Sequence, residues 1–525
     1  MEIDSTAMFR LGENGPRKRK KESEFKSCPK VFACAEHAEA VQSKPYDTVC
    51  YSVVVDYTFS DYILRNVDPK QSGPSPHPLY HRLLYITDVI KRGISEGRWP
   101  ASSYSSLLEA EDKLLYESGA NATSPSNHAL FWCKIVETLT RPQADCELWH
   151  VLRQWLLTAS TLKWTADGRI NTVGIRPAEI TAQGMPESVV FGTRNEPLAR
   201  ALIETYCLEN PRYRPREPSR VLENARVPDE TITVSSASDK YACGLMIDAR
   251  TGMLGASLDM AVCPRSARGI LTPALPDHSI ETYEIKCRAK YAFYPECRSE
   301  LSQCYERLLQ TRTVAALRRF LYAINHPCVD YFKPDDFPKA KEALITCDDD
   351  WKVGLSRFRA ISSNIKRNDF DSRHLASNKN CSSRVWLFGE PDLQTNAIHP
   401  LCWSTGEQSV LVPIFANPRH PNFKQIFVQN YVASNYFESN PVIPHLATFI
   451  GRRRRPGELG RRLTISEGNT GEPTPSVKID PEQAIPVLLL ITPVVVDVTF
   501  YGEVEEAGYR AFGELVQQVW AKQYP

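Results

Sequence analysis

No charge of either sign dominates this chain. Sixty-three lysine and arginine residues face 62 aspartate and glutamate residues, leaving a formal net charge of +1. That balance excludes a uniformly basic coat protein but leaves room for a local basic patch on a neutral body. Long hydrophobic runs are missing too. The longest, Ala484 to Val496, is 13 residues and is broken by Pro486 and Pro493, whereas a membrane-spanning helix needs ~20. The opening MEIDSTAMFRLGENG has no apolar segment, so no secretory signal peptide is expected. The 15 cysteines include no C-x-x-C pair and are odd in number, which argues against a disulfide framework and a zinc ribbon and for reduced thiols in a cytosolic or nuclear protein. With no P-loop, HExxH or nucleophile elbow, nucleotide hydrolysis and peptidase chemistry have no support.

The rest of the composition is ordinary: 525 residues, 42% hydrophobic, 24% charged and 10% aromatic, the profile of a globular chain. At ~150 residues per domain, that length suggests three or four domains. The first 27 residues carry Arg17, Lys18, Arg19, Lys20 and Lys21 in one row and read as a disordered basic arm. It is either a nuclear-import or nucleic-acid contact or a plain solvated tail. From about Val49 to Arg200 helical spacing prevails, as in Leu83, Ile86, Val89 and Ile90 and in Trp149, Leu152, Trp155 and Leu156. Pro197 to Leu208 reads as a helix with proline in its first turn. Residues 210–229 form an Arg/Pro-rich loop.

Strands are expected at Ala242–Asp248, Leu254–Val262, Thr282–Arg288, Val385–Phe388, Ser409–Phe415 and Ile485–Val496. Helices are expected at Glu300–Asn325, Phe423–Phe437 and Glu505–Lys522. A Gly/Pro/Arg-rich stretch, 451–482, opens with Arg452 to Arg455 and reads as a mobile basic loop, bridging a nucleic-acid groove or simply solvated. Helices beside a mixed sheet give an α/β or α+β class.

The chemistry gathers between Gly244 and Phe293. Side chains two apart on a strand share a face, so in YEIKCRAKYAF the residues Glu284 and Lys286 point together and Ile285 points away. Asp259 closes a neighbouring strand in GLMIDARTGMLGASLD. Two carboxylates and an ammonium can then converge at one sheet edge. Hard cations such as Mg²⁺ are held by one or two carboxylates plus substrate phosphate. A lysine beside such a site can orient water or stabilise developing negative charge. By spacing alone the same trio also fits a surface ion pair, although charges in so apolar a strand need a reason to be there.

These blocks resemble the herpesvirus alkaline nuclease family of the PD-(D/E)xK nuclease superfamily, similar in fold to lambda exonuclease. The resemblance extends to LRQWLLTASTLKW around Ser160, FGTRNE ending at Glu196, ANPRHPNFKQIFVQNYV (Ala416 to Val432) and IPVLLLITPVVVD (Ile485 to Asp497), all in order between Trp149 and Asp497.

The resemblance implies a restriction-endonuclease-like core of a mixed sheet flanked by helices over 146–525, with a helical N-terminal lobe over 28–145. It also implies Asp259, Glu284 and Glu196 as metal-binding carboxylates and Lys286 as the catalytic lysine, with Glu196 on a helix N-terminus. Ser160 becomes a phosphate contact. Arg288 and Lys290, on the strand just past the lysine, are further DNA-contact candidates because their position ties them to the site. Arg419 and His420 in NPRH are either DNA-facing or a helix cap and packing corner. Leu258 stands where the superfamily's name has proline. The nearest candidate for lambda exonuclease's glutamine–tyrosine helix motif is Tyr305.

The activity implied is Mg²⁺-dependent (or Mn²⁺-dependent) 5′-to-3′ exonuclease and endonuclease cleavage of linear or branched DNA in the host nucleus, beside a viral single-strand DNA-binding protein and away from membranes. Cleavage of RNA as well, with a place in the host cytoplasm, is one departure from that reading. A DNA-binding or assembly protein with a vestigial site is the other.

Overall fold

The computed structural model describes residues 57–68, 77–109, 111–119, 125–172, 186–208, 241–266, 269–274, 278–296, 299–324, 328–352, 367–437, 440–466 and 476–523. The basic arm and the Arg/Pro-rich stretch 210–229 lie outside them. Helices come first: α1 (Phe59–Asn66), α2 (Pro78–Ser95), α3 (Asn127–Leu139) and α4 (Glu147–Arg153). Each start has a local cause. Thr58 and Asp61 form a capping box on α1, Pro78 occupies the first turn of α2, and Ser126 accepts from the Ala129 amide on α3. These helices do not close a core of their own. Leu83 and Ile86 of α2 share one hydrophobic cluster with Leu254, Phe427 and Leu515 from far along the chain, each fully buried leucine contributing ~1.5–3 kcal/mol.

Two of the five sheets among the described residues position the site. The small one has β1 (Leu157–Thr158), β2 (Leu245–Ile247) and β3 (Leu254–Ser257) in the order β1-β3-β2, with β1 parallel and β2 antiparallel to β3. The large one is built from β4 (Met260–Val262), β5 (Ile280–Cys287), β6 (Ser383–Phe388), β7 (Pro400–Leu401), β8 (Ser409–Val412), β9 (Val442–Arg452) and β10 (Ile485–Pro493). Its order is β7-β6-β10-β9-β5-β4, with β8 also pairing β6. The β9 strand runs parallel to β5 and antiparallel to β10, so the sheet is mixed. Only Leu258 and Asp259 separate β3 from β4, so Asp259 marks the corner where the chain passes from one sheet to the other.

Helix α5 (Glu187–Leu202) packs Leu198 and Leu202 with Tyr283, Ile285 and Cys287 of β5. After α6 (Glu300–Thr311), α7 (Val314–Ala323) and α8 (Asp369–Asn378) come α9 (Pro421–Phe437) and α10 (Tyr501–Gln523). No helix among the described residues is long and apolar enough to cross a membrane.

Several expectations change. The single strand over Leu254–Val262 is two, β3 and β4, which pair in different sheets because the chain turns at Leu258 and Asp259. The single helix over Glu300–Asn325 is two, because Arg312 adopts a left-handed conformation (φ 50°) that ends α6 while Thr313 caps α7. The helix expected from Pro197 begins at Glu187, so Pro197 lies inside it. Tertiary contacts hold the turn around the proline: Gln483 Nε2 donates to the Arg194 carbonyl at 2.9 Å, and Asn195 Oδ1 accepts from the Ala484 amide at 2.8 Å.

The stretch 451–482, expected as a mobile basic loop, is tied down wherever it is described; 467–475 fall outside. Arg452 is fully buried, donating to Glu458 at 2.7 and 2.8 Å and to Glu390. Arg454 donates to the Asp480 and Gln483 carbonyls at 2.7 and 2.8 Å. The Arg452 and Arg454 guanidinium forks serve carboxylates and the irregular backbone here instead of facing solvent.

Candidate active site

Strand alternation sorts the side chains of β5. Tyr283, Ile285 and Cys287 enter the cluster under α5, and Glu284 and Lys286 take the other face, toward α9. Glu284 is 3% exposed, and a buried carboxylate must have partners. Gln425 and Gln429, one turn apart on α9, supply them: Gln425 Nε2 donates to Oε1 at 2.7 Å and Gln429 Nε2 to Oε2 at 2.6 Å. Lys286 Nζ donates to Oε1 as well. Asp259 reaches β5 from its corner and accepts the Ile285 amide at 2.7 Å.

The electrostatics are those of crowded carboxylates. Burial pushes the Asp259 carboxyl well above its usual range, and the charges of Glu284 and Glu196 push it further. For Lys286 burial works against the ammonium, but Glu284 and Asp259 outweigh it and hold its pKa above the ordinary lysine value.

A cavity of about 190 Å³ opens here, and Ser160, Asp259, Glu284 and Lys286 are all on its wall. Ser160 arrives from the turn after β1, accepting from Arg153 Nη2 at 3.4 Å. Arg153 is also on the wall. It stacks 4.0 Å from the Trp149 ring centroid, and burial lowers its pKa to about 10. Sequence reasoning missed Arg153, Gln143, Gln425 and Gln429 as wall residues. A signal existed for the last two: glutamines at i and i+4 on a helix whose other side chains are mostly buried.

Other expected residues fall elsewhere. Glu196 sits in the middle of α5 rather than at a helix N-terminus, because that helix starts nine residues earlier, at Glu187. Its carboxylate pairs with Arg200 at 2.8 Å. Burial raises its pKa, Arg200 lowers it, and Glu284's charge raises it again, so it acts on the site by charge and not as part of the wall. Arg288 lies beside the site with no ion pair among the described residues, and its charge reaches His420. Lys290 is engaged with buried Glu342 at 2.8 Å.

NPRH forms the helix cap and packing corner. Arg419 donates to the Pro338 carbonyl at 2.8 Å and approaches Asp371 at 3.5 Å, while His420 Nδ1 accepts the Asn422 amide at 3.1 Å. Tyr305 is not at the site: it packs between Phe293 and Phe320, 5.2 and 5.9 Å away. The helix facing Glu284 is α9.

Do these residues suit a hard divalent cation? Among the described residues no three His, Cys, Asp or Glu side chains converge on one point. Asp259 and Glu284 nevertheless offer oxygen donors beside a cavity, and their mutual repulsion is relieved by a cation. Mg²⁺ sites commonly need no more than two carboxylates plus water and substrate phosphate. The donor set fits.

A mixed sheet presenting two carboxylates and a lysine to one cavity, with a serine and an arginine on the same wall, defines a phosphodiester-cleaving nuclease. Residues 19–525 match the model of the family described as viral alkaline exonuclease. The alkaline nuclease of equine herpesvirus 1 (strain Ab4p) is 38% identical over 488 residues, covering 90% of this chain and 85% of that one. The alkaline nuclease of psittacid herpesvirus 1 is 39% identical over 485 residues, 88% of each. The shutoff alkaline exonuclease of Epstein-Barr virus (strain GD1) is more distant, at 26% over 470 residues, 84% of this chain and 88% of that one. In fold, the crystal structure of the shutoff and exonuclease protein from Kaposi's sarcoma-associated herpesvirus superposes with a TM-score of 0.62 at 20% identity, covering 88% of this chain and 91% of that one. The chain therefore belongs to the herpesvirus alkaline nuclease family and is a nuclease, with a fold of the kind expected. The reading as a binding protein with a vestigial site falls away.

Proposed function

We propose that the protein is a Mg²⁺-dependent deoxyribonuclease, exonucleolytic in the 5′-to-3′ sense and endonucleolytic, that trims branched viral replication and recombination intermediates before genome packaging. The observation that carries this reading is the convergence of Asp259, Glu284, Lys286 and Ser160 on one cavity. Held by Asp259 and Glu284, a divalent cation, Mg²⁺ or in its place Mn²⁺, supplies Lewis acidity at the scissile phosphate.

The chain's own residues do the rest. Ser160 and Arg153 hold a phosphate oxygen on the same wall. Lys286, kept charged by its carboxylate neighbours, orients the attacking water and stabilises the charge that develops in line with the leaving oxygen. Gln425 and Gln429 keep Glu284 from turning away. Displacement breaks the P–O3′ bond and leaves a 5′-phosphate. Glu196 tunes the site through its charge, and Arg288 contacts a neighbouring phosphate.

The test is nucleotide release from end-labelled linear duplex DNA with Mg²⁺ at alkaline pH, wild type beside Asp259→Asn, with binding checked in Ca²⁺. Loss of digestion with binding intact supports the site; digestion by the variant refutes it.

A nuclear place of action, with a viral single-strand DNA-binding protein as partner, belongs to the same proposal. Loss of nuclear accumulation on deleting Arg17–Lys21 tests the first part, and unchanged accumulation refutes the role of that run. RNA cleavage is the second reading, with the host cytoplasm as a further location. It is motivated by the shutoff relative, and the higher identity to alkaline nucleases favours DNA. Capped mRNA and linear DNA incubated with one preparation separate the two.

A further inference from the structure

Arg82 is a buried cation with no carboxylate partner among the described residues. It lies on α2, 1% exposed, with its guanidinium carbon 3.6 Å from the Phe59 ring centroid. Burial pushes its pKa down to about 9, and only the Tyr85 hydroxyl acts the other way. Its Nη1 finds no hydrogen-bond partner among the described residues. A methionine would fill such a place without the cost of desolvating a charge, so the guanidinium needs another reason to be there.

The other two nitrogens give one. Nε donates to the Gly252 carbonyl at 2.9 Å, and Nη2 donates to the Trp155 carbonyl at 2.9 Å. Each carbonyl stands two residues before the first paired residue of a strand: Leu254 of β3 and Leu157 of β1, which are partners in the parallel ladder. The approach is close. A Cβ on Gly252, whose φ is +67°, would meet the Leu79 Cα at 2.9 Å and the Arg82 Cβ at 3.0 Å. Parallel strands that start together also end together. The far ends here are Thr158 to Ser160 on one side and Ser257 to Asp259 on the other, all on the cavity wall except Leu258.

We infer that Arg82 is a positioning residue for the cleavage site: one planar fork, holding the Trp155 and Gly252 carbonyls together, sets β1 against β3 lengthwise and so fixes Ser160 relative to Asp259. A two-residue strand such as β1 has little pairing of its own to hold that alignment. The N-terminal helices thereby become part of the catalytic apparatus, acting through backbone rather than through contact with substrate. The inference rests on the cavity being where cleavage occurs.

Arg82→Met and Arg82→Lys in the full chain test it. Lysine keeps a hydrogen-bond donor and loses the planar fork, so it separates the fork's geometry from the mere presence of a donor. The expected result for both is a kcat lower by ~10- to 100-fold, the scale of an ångström-level misplacement, with DNA affinity in Ca²⁺ unchanged. Amide exchange should quicken at 155–161 and 253–259 while β5, β9 and β10 keep their protection. Wild-type kcat in either variant, or exchange rising evenly through the large sheet, overturns the inference. Should the methionine variant fail to fold, the lysine variant carries the same test. Run alongside, an Asp259→Asn variant that still digests DNA overturns the site reading and this inference together. An inactive Asp259→Asn beside a fully active Arg82→Met overturns this inference alone.

Discussion

Gln429 holds Glu284 by a 2.6 Å hydrogen bond from α9 to β5, so one carboxylate of the site is oriented by an element 145 positions away in the chain. The same amide nitrogen lies 3.3 Å from the Ser257 carbonyl, just before Asp259. Helix α9 therefore sees both sides of the carboxylate pair.

Replacing Gln429 with leucine removes a donor to a buried charge, an interaction on the order of 1.5–3 kcal/mol. If that support is realised in the transition state, digestion should fall ~10- to 100-fold. Gln425→Leu should act in the same direction, and the double variant should cost less than the sum because both bonds serve one carboxylate. Steady-state rates beside thermal melting check this; an unchanged kcat in a folded Gln429→Leu would refute the orienting role.

Arg288 and Lys290 should part company. Arg288, without an ion pair among the described residues, is available to a phosphate, so Arg288→Ala should weaken DNA binding and reduce the salt-dependence slope by about 1. Lys290 neutralises buried Glu342, so Lys290→Ala should lower stability first. Binding titrations at several salt concentrations, beside denaturant unfolding, distinguish the two outcomes.

The basic run after β9 should behave as structure. Arg452→Met leaves Glu458, 2% exposed, without its buried partner, a loss of about 3–5 kcal/mol. The Arg453–Glu187 pair is far more exposed, so Arg453→Ala should cost under about 1 kcal/mol. Urea unfolding of the two variants measures the contrast, and equal effects would contradict it.

His420 gives a pH dependence. Burial first, then the charges of Arg288, Lys290 and Lys286, lower its pKa to about 3. The unfolded chain therefore takes up a proton near pH ~6.5 that the folded chain refuses until about pH 3. Its contribution to stability is complete above ~6.5 and is lost as pH falls through that window. His420→Asn, which keeps an acceptor for the Asn422 amide, should flatten the acid-side loss by up to one proton's worth. An unaltered stability–pH slope between those limits would count against it.

Local pattern made much of this legible. Alternation in YEIKC placed Glu284 and Lys286 on one face, apolar spacing located α9 and α10 to within a few residues, and it marked the buried stripe of α2. The central strand β9 was not legible. Pro444 and Gly451 interrupt it, and its C-terminal half is buried on both faces, so it shows no period of two. Glu196 was misplaced on its helix because Pro197 read as a first-turn proline, a rule that Gln483 and Ala484 override from a distant loop by bonding Arg194 and Asn195. Arg82 offered no local sign at all, since both of its carbonyl partners are supplied by the fold.

Asp259 occupies a joint two residues long between sheets that must each form before it has a fixed position. Its partner amide belongs to the large sheet, and Ser160, on the same cavity wall, hangs from the small one. A chain caught with either sheet unmade has no assembled blade. Cutting is thus tied to the completion of both sheets.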